Sequence, residues 1–251
     1  SGFINFFINK YKTNLSIICS KRLEKIYKRS FSHKNILTIN DAESLNEYHD
    51  FEMPIGSLIE HIKFENEDFF PQHEYLYPDE KNLKKWESRF AQLNNRIKIG
   101  ISWKGGNSPK NENHVSISLI ELMNTLPKNV DYISLQHGDT VNEIENSNKI
   151  TKKKIYIWDD VNSLTCLEDL FSQISCLDLV ITVNNSNLDF AGSLGTKTIG
   201  LMPPIPNFRF GLNSKKCMFY KNVHFLRKET AQTWESFSTE INMKINELVS
   251  I

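Results

Sequence analysis

No stretch of this chain is an apolar run approaching the roughly 20 residues that cross a bilayer, and no signal-peptide anatomy stands at its start. Charge of one sign is also missing. Thirty Lys and Arg balance thirty Asp and Glu, which removes the bulk electrostatic case for nucleic acid or acidic lipid as a partner. Cysteine is scarce. Cys19, Cys166, Cys176 and Cys217 form no CxxC pair and have no metal-ligand spacing, so they read as reduced, mostly buried thiols of a cytoplasmic protein. Ten glycines and eight prolines are too few for a low-complexity chain, and the 11% aromatic content belongs to a chain with a packed core. There is no P-loop, GxGxxG, HExxH or GxSxG, which lowers nicotinamide, flavin, zinc-protease and serine-hydrolase chemistry alike.

What is present is alternation. Apolar runs at Leu15 to Cys19, Ile36 to Ile39, Ile97 to Trp103, Tyr132 to Leu135, Lys154 to Ile157, Leu177 to Val183, Thr198 to Met202 and Val223 to Leu226 read as strands. Between them lie segments of helical period. Residues 3–12 carry Phe3, Phe6, Phe7 and Tyr11 on one face, residues 22–31 turn Leu23, Ile26 and Tyr27 inward, and residues 81–95 do so with Leu83, Trp86, Phe90 and Leu93. Ser118 with Glu121, and Thr165 with Glu168, have the spacing of capping boxes. A last helix from Ala231 carries Trp234, Phe237, Ile241, Ile245 and Leu248. Residues 41–78 are irregular, punctuated by Pro54, Gly56, Pro71 and Pro78. The fold class is α/β: a doubly wound sheet from about Arg96 onward, preceded by an incomplete second α/β unit. The opening Ser1-Gly2 and a helix with no strand before it read as a piece of something longer.

One stretch organises the rest. Leu177 to Val183 is a strand buried on both faces. It breaks at Asn184-Asn185-Ser186-Asn187, polar residues suited to a turn and a helix cap. Leu188, Ala191 and Leu194 then fall at helical spacing, and Gly195 stops the helix. A polar turn at the carboxyl end of a parallel strand is where open α/β sheets bind ligands, and bare amides at a helix start favour an anion such as phosphate. An ordinary βαβ unit with capping asparagines is the other reading. The same rim collects Trp103-Lys104-Gly105-Gly106, Gln136-His137-Gly138, Trp158-Asp159-Asp160, and Pro203 to Phe210 with Arg209. Glycine at 105 and 106 lets backbone approach a phosphate, and Lys104 or Arg209 neutralises it. Asp189 either accepts from a ribose diol or answers the helix dipole. His114 and His137 are the histidines on this rim. Asp159-Asp160 is either a metal-and-phosphate pair or a solvated loop.

The ordered motifs GISWKGG, SISLIEL, YISLQHG, DLVITVNNSNLDFAGSLGTKTIGLMP and NFRF resemble the C-terminal domain of bacterial GT-B glycosyltransferases. The closest likeness is to the tetratricopeptide-linked enzymes related to glycosyltransferase family nine, the heptosyltransferase group. FEMPIGSL and the helix containing Trp86 are similar to that group's interdomain segment. The resemblance implies two Rossmann-like domains facing a cleft: residues 1–80 a partial, acceptor-side domain with connecting segment, and 81–251 the nucleotide-sugar-binding domain. It implies a nucleotide-diphosphate sugar donor, a glycan, lipid-linked or protein acceptor, and neither metal nor other cofactor. By position it places Trp103, Lys104 and Gly105 at the donor loop and Gln136, His137 and Gly138 beside the base. Asn185 and Ser186 fall at the diphosphate, with Asn184 and Asn187 in the same nucleotide-sugar site, Asp189 near the ribose, and Arg209 in an aromatic-Arg-aromatic motif, with Lys104 and Arg209 stabilising the leaving group. The chain departs from the family at Asn184-Asn185, where Asp-Thr or Asp-Asn is common, and at Asp189, where histidine is usual outside the O-GlcNAc-transferase-like branch. Val115 replaces a frequent arginine, and the N-terminal glycine loop with its aspartate is not recognisable in Ser1-Gly2-Phe3. Two functions follow: a metal-independent glycosyltransferase, or a non-catalytic nucleotide-sugar-binding or scaffold module of the same fold.

Overall fold

β-branched and apolar runs form the strands where the alternation places them. In this computed structural model, residues 4, 15–31, 35–44, 50–57, 74–94, 96–105, 115–205, 210, 217, 219–229 and 232–249 are described. β1 (Ser16–Cys19) and β2 (Asn35–Thr38) pair in parallel as a two-stranded sheet. α1 (Glu24–Ser30) crosses between them and α2 (Ile39–Ser44) follows. α3 (Glu80–Ala91) leads to the main sheet, its first turn capped by Asp79, whose carboxylate accepts from Asn82 N at 3.0 Å.

The main sheet has six parallel strands: β3 (Lys98–Ser102), β4 (Asp131–Ser134), β5 (Ile155–Tyr156), β6 (Leu179–Val183), β7 (Thr198–Met202) and β8 (Val223–Arg227). Their order is β5-β4-β3-β6-β7-β8. The chain winds outward from β3 through β4 and β5, crosses back, and winds the other way through β6, β7 and β8. β3 and β6 therefore lie side by side where the winding reverses, the position at which such sheets open a crevice.

Side-chain alternation sorts the core into two layers. Ile99, Ile101, Leu179, Ile181, Ile199 and Leu201 face α4 (Leu119–Thr125), α5 (Val141–Thr151) and α8 (Ser238–Val249), with Leu122, Met123, Ile241 and Ile245 fully buried there. On the other face Ile133, Leu135 and Val180 share a core with α6 (Glu168–Ser175), α3, Ile17 and Ile36 of the small sheet, and Ile26 of α1. α7 (Ser186–Ser193) joins β6 to β7 and seats Leu188 against Met202 and Phe225.

Several expectations shift. α5 has no counterpart in the sequence reading, because its sequence VNEIENSNKIT buries only Ile144 and Ser147 and gives almost no apolar period. Neither capping box forms: Ser118 makes no side-chain cap bond, and Leu167, not Thr165, is the N-cap of α6. Glu168 instead takes the Arg29 guanidinium at 2.7 Å, joining the small sheet's helix to the main unit. The last helix starts at Ser238 after a 3-10 turn over Glu235–Phe237. All four cysteines are free, with Cys166 exposed and Cys176 half-buried. The helix expected over residues 3–12 lies outside the described residues except Ile4.

Candidate functional site

The carboxyl ends of β3 and β6 meet through one carboxamide. Asn185 is the N-cap of α7, its Oδ1 accepting from Asn187 N and from Thr182 Oγ1, both at 3.0 Å. Its Nδ2 donates to Ser102 Oγ at 2.7 Å and to the Lys104 carbonyl at 3.0 Å. Each hydrogen-bonding atom of the amide is used. Asn187, 6% exposed, adds Nδ2 bonds to Ser102 Oγ and the Leu135 carbonyl, each 3.0 Å. From the β4 side, Gln136 Oε1 accepts from Ser102 Oγ at 3.1 Å and from the Trp103 and Lys104 amides at 3.1 and 2.9 Å. Three strand ends are thus tied by a buried polar network around Ser102, whose members hold one another in place.

Gly105 lets the two loops touch. A Cβ there would stand 2.9 Å from the Asn184 carbonyl oxygen and 3.3 Å from Val115, so only glycine brings the β3 loop this close to the turn before α7. Gly105 N donates to Ser116 Oγ at 3.1 Å. Trp103 is fully buried, and its indole nitrogen donates to Glu143 Oε1 at 3.0 Å. Lys104 Nζ reaches the other oxygen of the same carboxylate at 2.6 Å. Glu143 lies in the first turn of α5, so the helix the sequence concealed positions the rim's basic residue.

The turn before α7 is less open than bare amides imply. The Asn185 side chain takes Asn187 N, and the Asn185 carbonyl accepts from Leu188 N at 3.1 Å, while Ser186 is exposed. Asp189 is half-buried and receives the Tyr220 hydroxyl at 3.0 Å. Burial first, then Tyr75 and the Asp189 charge, push the Tyr220 phenol well above its ordinary range, so it stays a donor. Its ring covers Gly192, where a Cβ would fall 2.4 Å from ring carbon.

Beside this junction lies a hollow of about 210 Å3. Gln136, His137 and Gly138 form one wall, Trp158, Val161 and Leu164 another, and Leu170 and Gln173 of α6 close it. Gly138 has φ +89°, a conformation glycine adopts without strain, and His137 beside it is exposed. The outer wall is braced from two directions. The Trp158 ring packs edge-on to Trp86 with centroids 5.1 Å apart. The Arg22 guanidinium donates to the Ser163 carbonyl at 3.2 Å.

Asp160 is ion-paired. Arg89 grips it with bonds of 2.9 and 2.6 Å, and Lys85 stands at 3.3 Å. The Arg89 bonds hold its carboxyl down to about 2. Among the described residues no cluster of three or more His, Cys, Asp and Glu is arranged to hold a metal ion, and no helix is long and apolar enough to cross a membrane. Gly106, His114 and Arg209 lie outside the described residues. Sequence reading missed Ser102, Glu143, Gln173 and Tyr220. Ser102 could have been found as a hydroxyl ending an apolar strand, and Gln173 as an amide on the apolar face of a helix, whereas Glu143 gave no signal.

No protein-family model matches the chain. Among curated proteins it is similar to Protein FlbA of Caulobacter vibrioides, 23% identical over 235 residues, covering 88% of this chain and 39% of that protein. The chain therefore spans well under half the length of this relative. Among solved structures it is similar to the E. coli ADP-heptose lps heptosyltransferase II, with TM-score 0.51 and 12% identity over 72% of this chain and 56% of that one. The fold is Rossmann-like and of GT-B type. A glycosyl transferase family 9 structure from Veillonella parvula also matches, with TM-score 0.46 and 14% identity over 73% of this chain and 51% of that one.

Proposed function

We propose that this chain binds a nucleotide-diphosphate sugar and belongs to a metal-independent glycosyltransferase, with residues 81–251 the donor side and 1–80 part of the acceptor side. The observation that carries this is the convergence at the β3/β6 reversal of three things. These are an exposed Ser186 at a helix start, the Lys104-Gly105 loop hydrogen-bonded to that turn, and an adjoining hollow.

In this reading the base enters the hollow between Gln136–Gly138 and the Trp158 wall, and the diphosphate crosses to the start of α7. Transfer moves the sugar's anomeric carbon to an acceptor oxygen and leaves a nucleoside diphosphate. Stabilising that leaving group is the work of groups fixed beforehand: the Ser186 hydroxyl and amide, Lys104, and Arg209 by position. Lys104 has three N–H donors, so it can keep its bond to Glu143 while giving another to phosphate. Trp103, Gly105, Asn184, Asn185 and Asn187 shape the junction, and Asp189, oriented by Tyr220, lies one helical turn from it. A base on the acceptor side takes the acceptor's proton.

Calorimetry with UDP, GDP, ADP and CDP tests the site. Ser186→Ala and Lys104→Ala should each weaken the nucleotide that binds by about tenfold, and unchanged affinity in both variants contradicts the assignment. Incubating the same chain with the sugar-linked donor separates the two functional readings. Release of free sugar supports the transferase, and binding without release supports a module that keeps the fold alone.

A further inference from the structure

Gln173 is a polar residue of the hollow whose surroundings leave its chemistry unexplained. It sits on the inward face of α6 between Leu170 and Ile174, is 2% exposed, and lines the hollow. Its carboxamide makes no hydrogen bond to any described residue. The amide is nearly but not wholly enclosed, so its unmet hydrogen bonds face the hollow, and polar groups this deep are rarely left unpaired in native structures. The neighbouring buried amides, Gln136 and Asn187, are both bonded to protein. A leucine here would continue the apolar face of α6.

The hollow's size narrows what satisfies it. At about 210 Å3 it falls below the roughly 300–1,000 Å3 of whole-ligand pockets, so it takes one part of a nucleotide sugar rather than all of it. Its apolar walls, Leu135, Trp158, Val161 and Leu170, suit a flat ring and not a charged phosphate. A carboxamide presents a donor beside an acceptor in one plane, the complement of a nucleobase edge that does the same.

We propose that Gln173 reads the hydrogen-bonding edge of the donor's base and so selects which nucleoside diphosphate this chain accepts. The inference rests on the proposed donor site and adds a specificity-determining residue to it. Because the amide is buried, a base that cannot pair with it leaves it unsatisfied, and rejection on such grounds exceeds what apolar contact achieves.

The test compares wild type, Gln173→Leu and Gln173→Met, binding each of UDP, GDP, ADP and CDP by calorimetry, with inorganic pyrophosphate as a base-free probe. Methionine matches glutamine in length and keeps the helix face packed, so a melting curve like the wild type's shows that it folds. The expected result is that the preferred nucleotide weakens roughly tenfold or more and the preference among the four collapses, while pyrophosphate affinity is unchanged. Retention of the wild-type preference in both variants overturns the role of Gln173 and leaves the donor site standing. Failure of every nucleotide to bind the wild-type chain overturns both.

Discussion

Replacing Asn185 by alanine removes four hydrogen bonds at once, and general magnitudes for such bonds set the expected cost. Loss of the cap on Asn187 N costs about 1 kcal/mol, as N-cap deletions do. Ser102 Oγ keeps the Asn187 Nδ2 donor, but the Lys104 carbonyl loses the one that faces it, and an acceptor left unpaired costs a further ~1–3 kcal/mol. The sum is about 3 kcal/mol. For a chain of this length each kcal/mol moves the midpoint by ~2–4 °C, so a fall of roughly 6–12 °C is expected. Differential scanning calorimetry measures it directly. Ser186→Ala is the control, since Ser186 is exposed and its loss should move the midpoint little. The network also predicts non-additivity: Asn185→Ala and Ser102→Ala share a bond, so their double mutant should be less destabilised than the sum by about 0.5–3 kcal/mol. A midpoint within a degree or two of wild type, or strict additivity, would refute the claim that one carboxamide ties the β3 and β6 loops together.

Other consequences follow from single groups. Gly192→Ala should be among the most damaging glycine substitutions, costing ~1–3 kcal/mol or more from overpacking, because its Cβ meets the Tyr220 ring at 2.4 Å; a wild-type urea midpoint would contradict this. Asp160 is held down to about 2 by Arg89, so its stabilisation is complete above the ordinary carboxylate range near pH 4 and is lost as pH falls through about 2. Its side chain is 48% exposed, so the effect is at most ~1 kcal/mol after screening. Asp160→Asn should flatten that part of the stability-against-pH curve. Burial pushes the Cys176 thiol up to about 12, and the thiolate is the reactive form. Iodoacetamide at pH 8 should therefore label exposed Cys166 and spare Cys176 in the native protein, as peptide mass mapping would show.

Much of the architecture was legible because parallel strands buried on both faces are continuous apolar runs. LDLVITV and KIGIS announce themselves, and their order with intervening helices gives a doubly wound sheet. The start of α7 was legible too, since Asn185 is a favoured cap two residues after the end of a strand. What was hidden has physical reasons. α5 buries only Ile144 and Ser147, so no period marks it, and Glu143 stayed hidden with it. The capping box at Thr165 failed because Glu168 is drawn to Arg29 across 139 residues of sequence, a tertiary pull no local spacing encodes. The asparagine turn was expected to offer its amides outward. Ser102 at the end of β3 turned the carboxamides inward, a partner that becomes visible only once β3 and β6 are known to be neighbours.

Amide chemical-shift mapping on the 15N-labelled chain, titrated with the nucleoside diphosphate that binds, puts the central claim to its most direct test. Ligand-induced shifts should concentrate at Gln136 to Gly138, at Trp158 to Leu164, and at Asn184 to Asn187, with Gln173 among them. Shifts gathered on another face of the sheet, or none at saturating nucleotide, would contradict a donor site at the β3/β6 reversal.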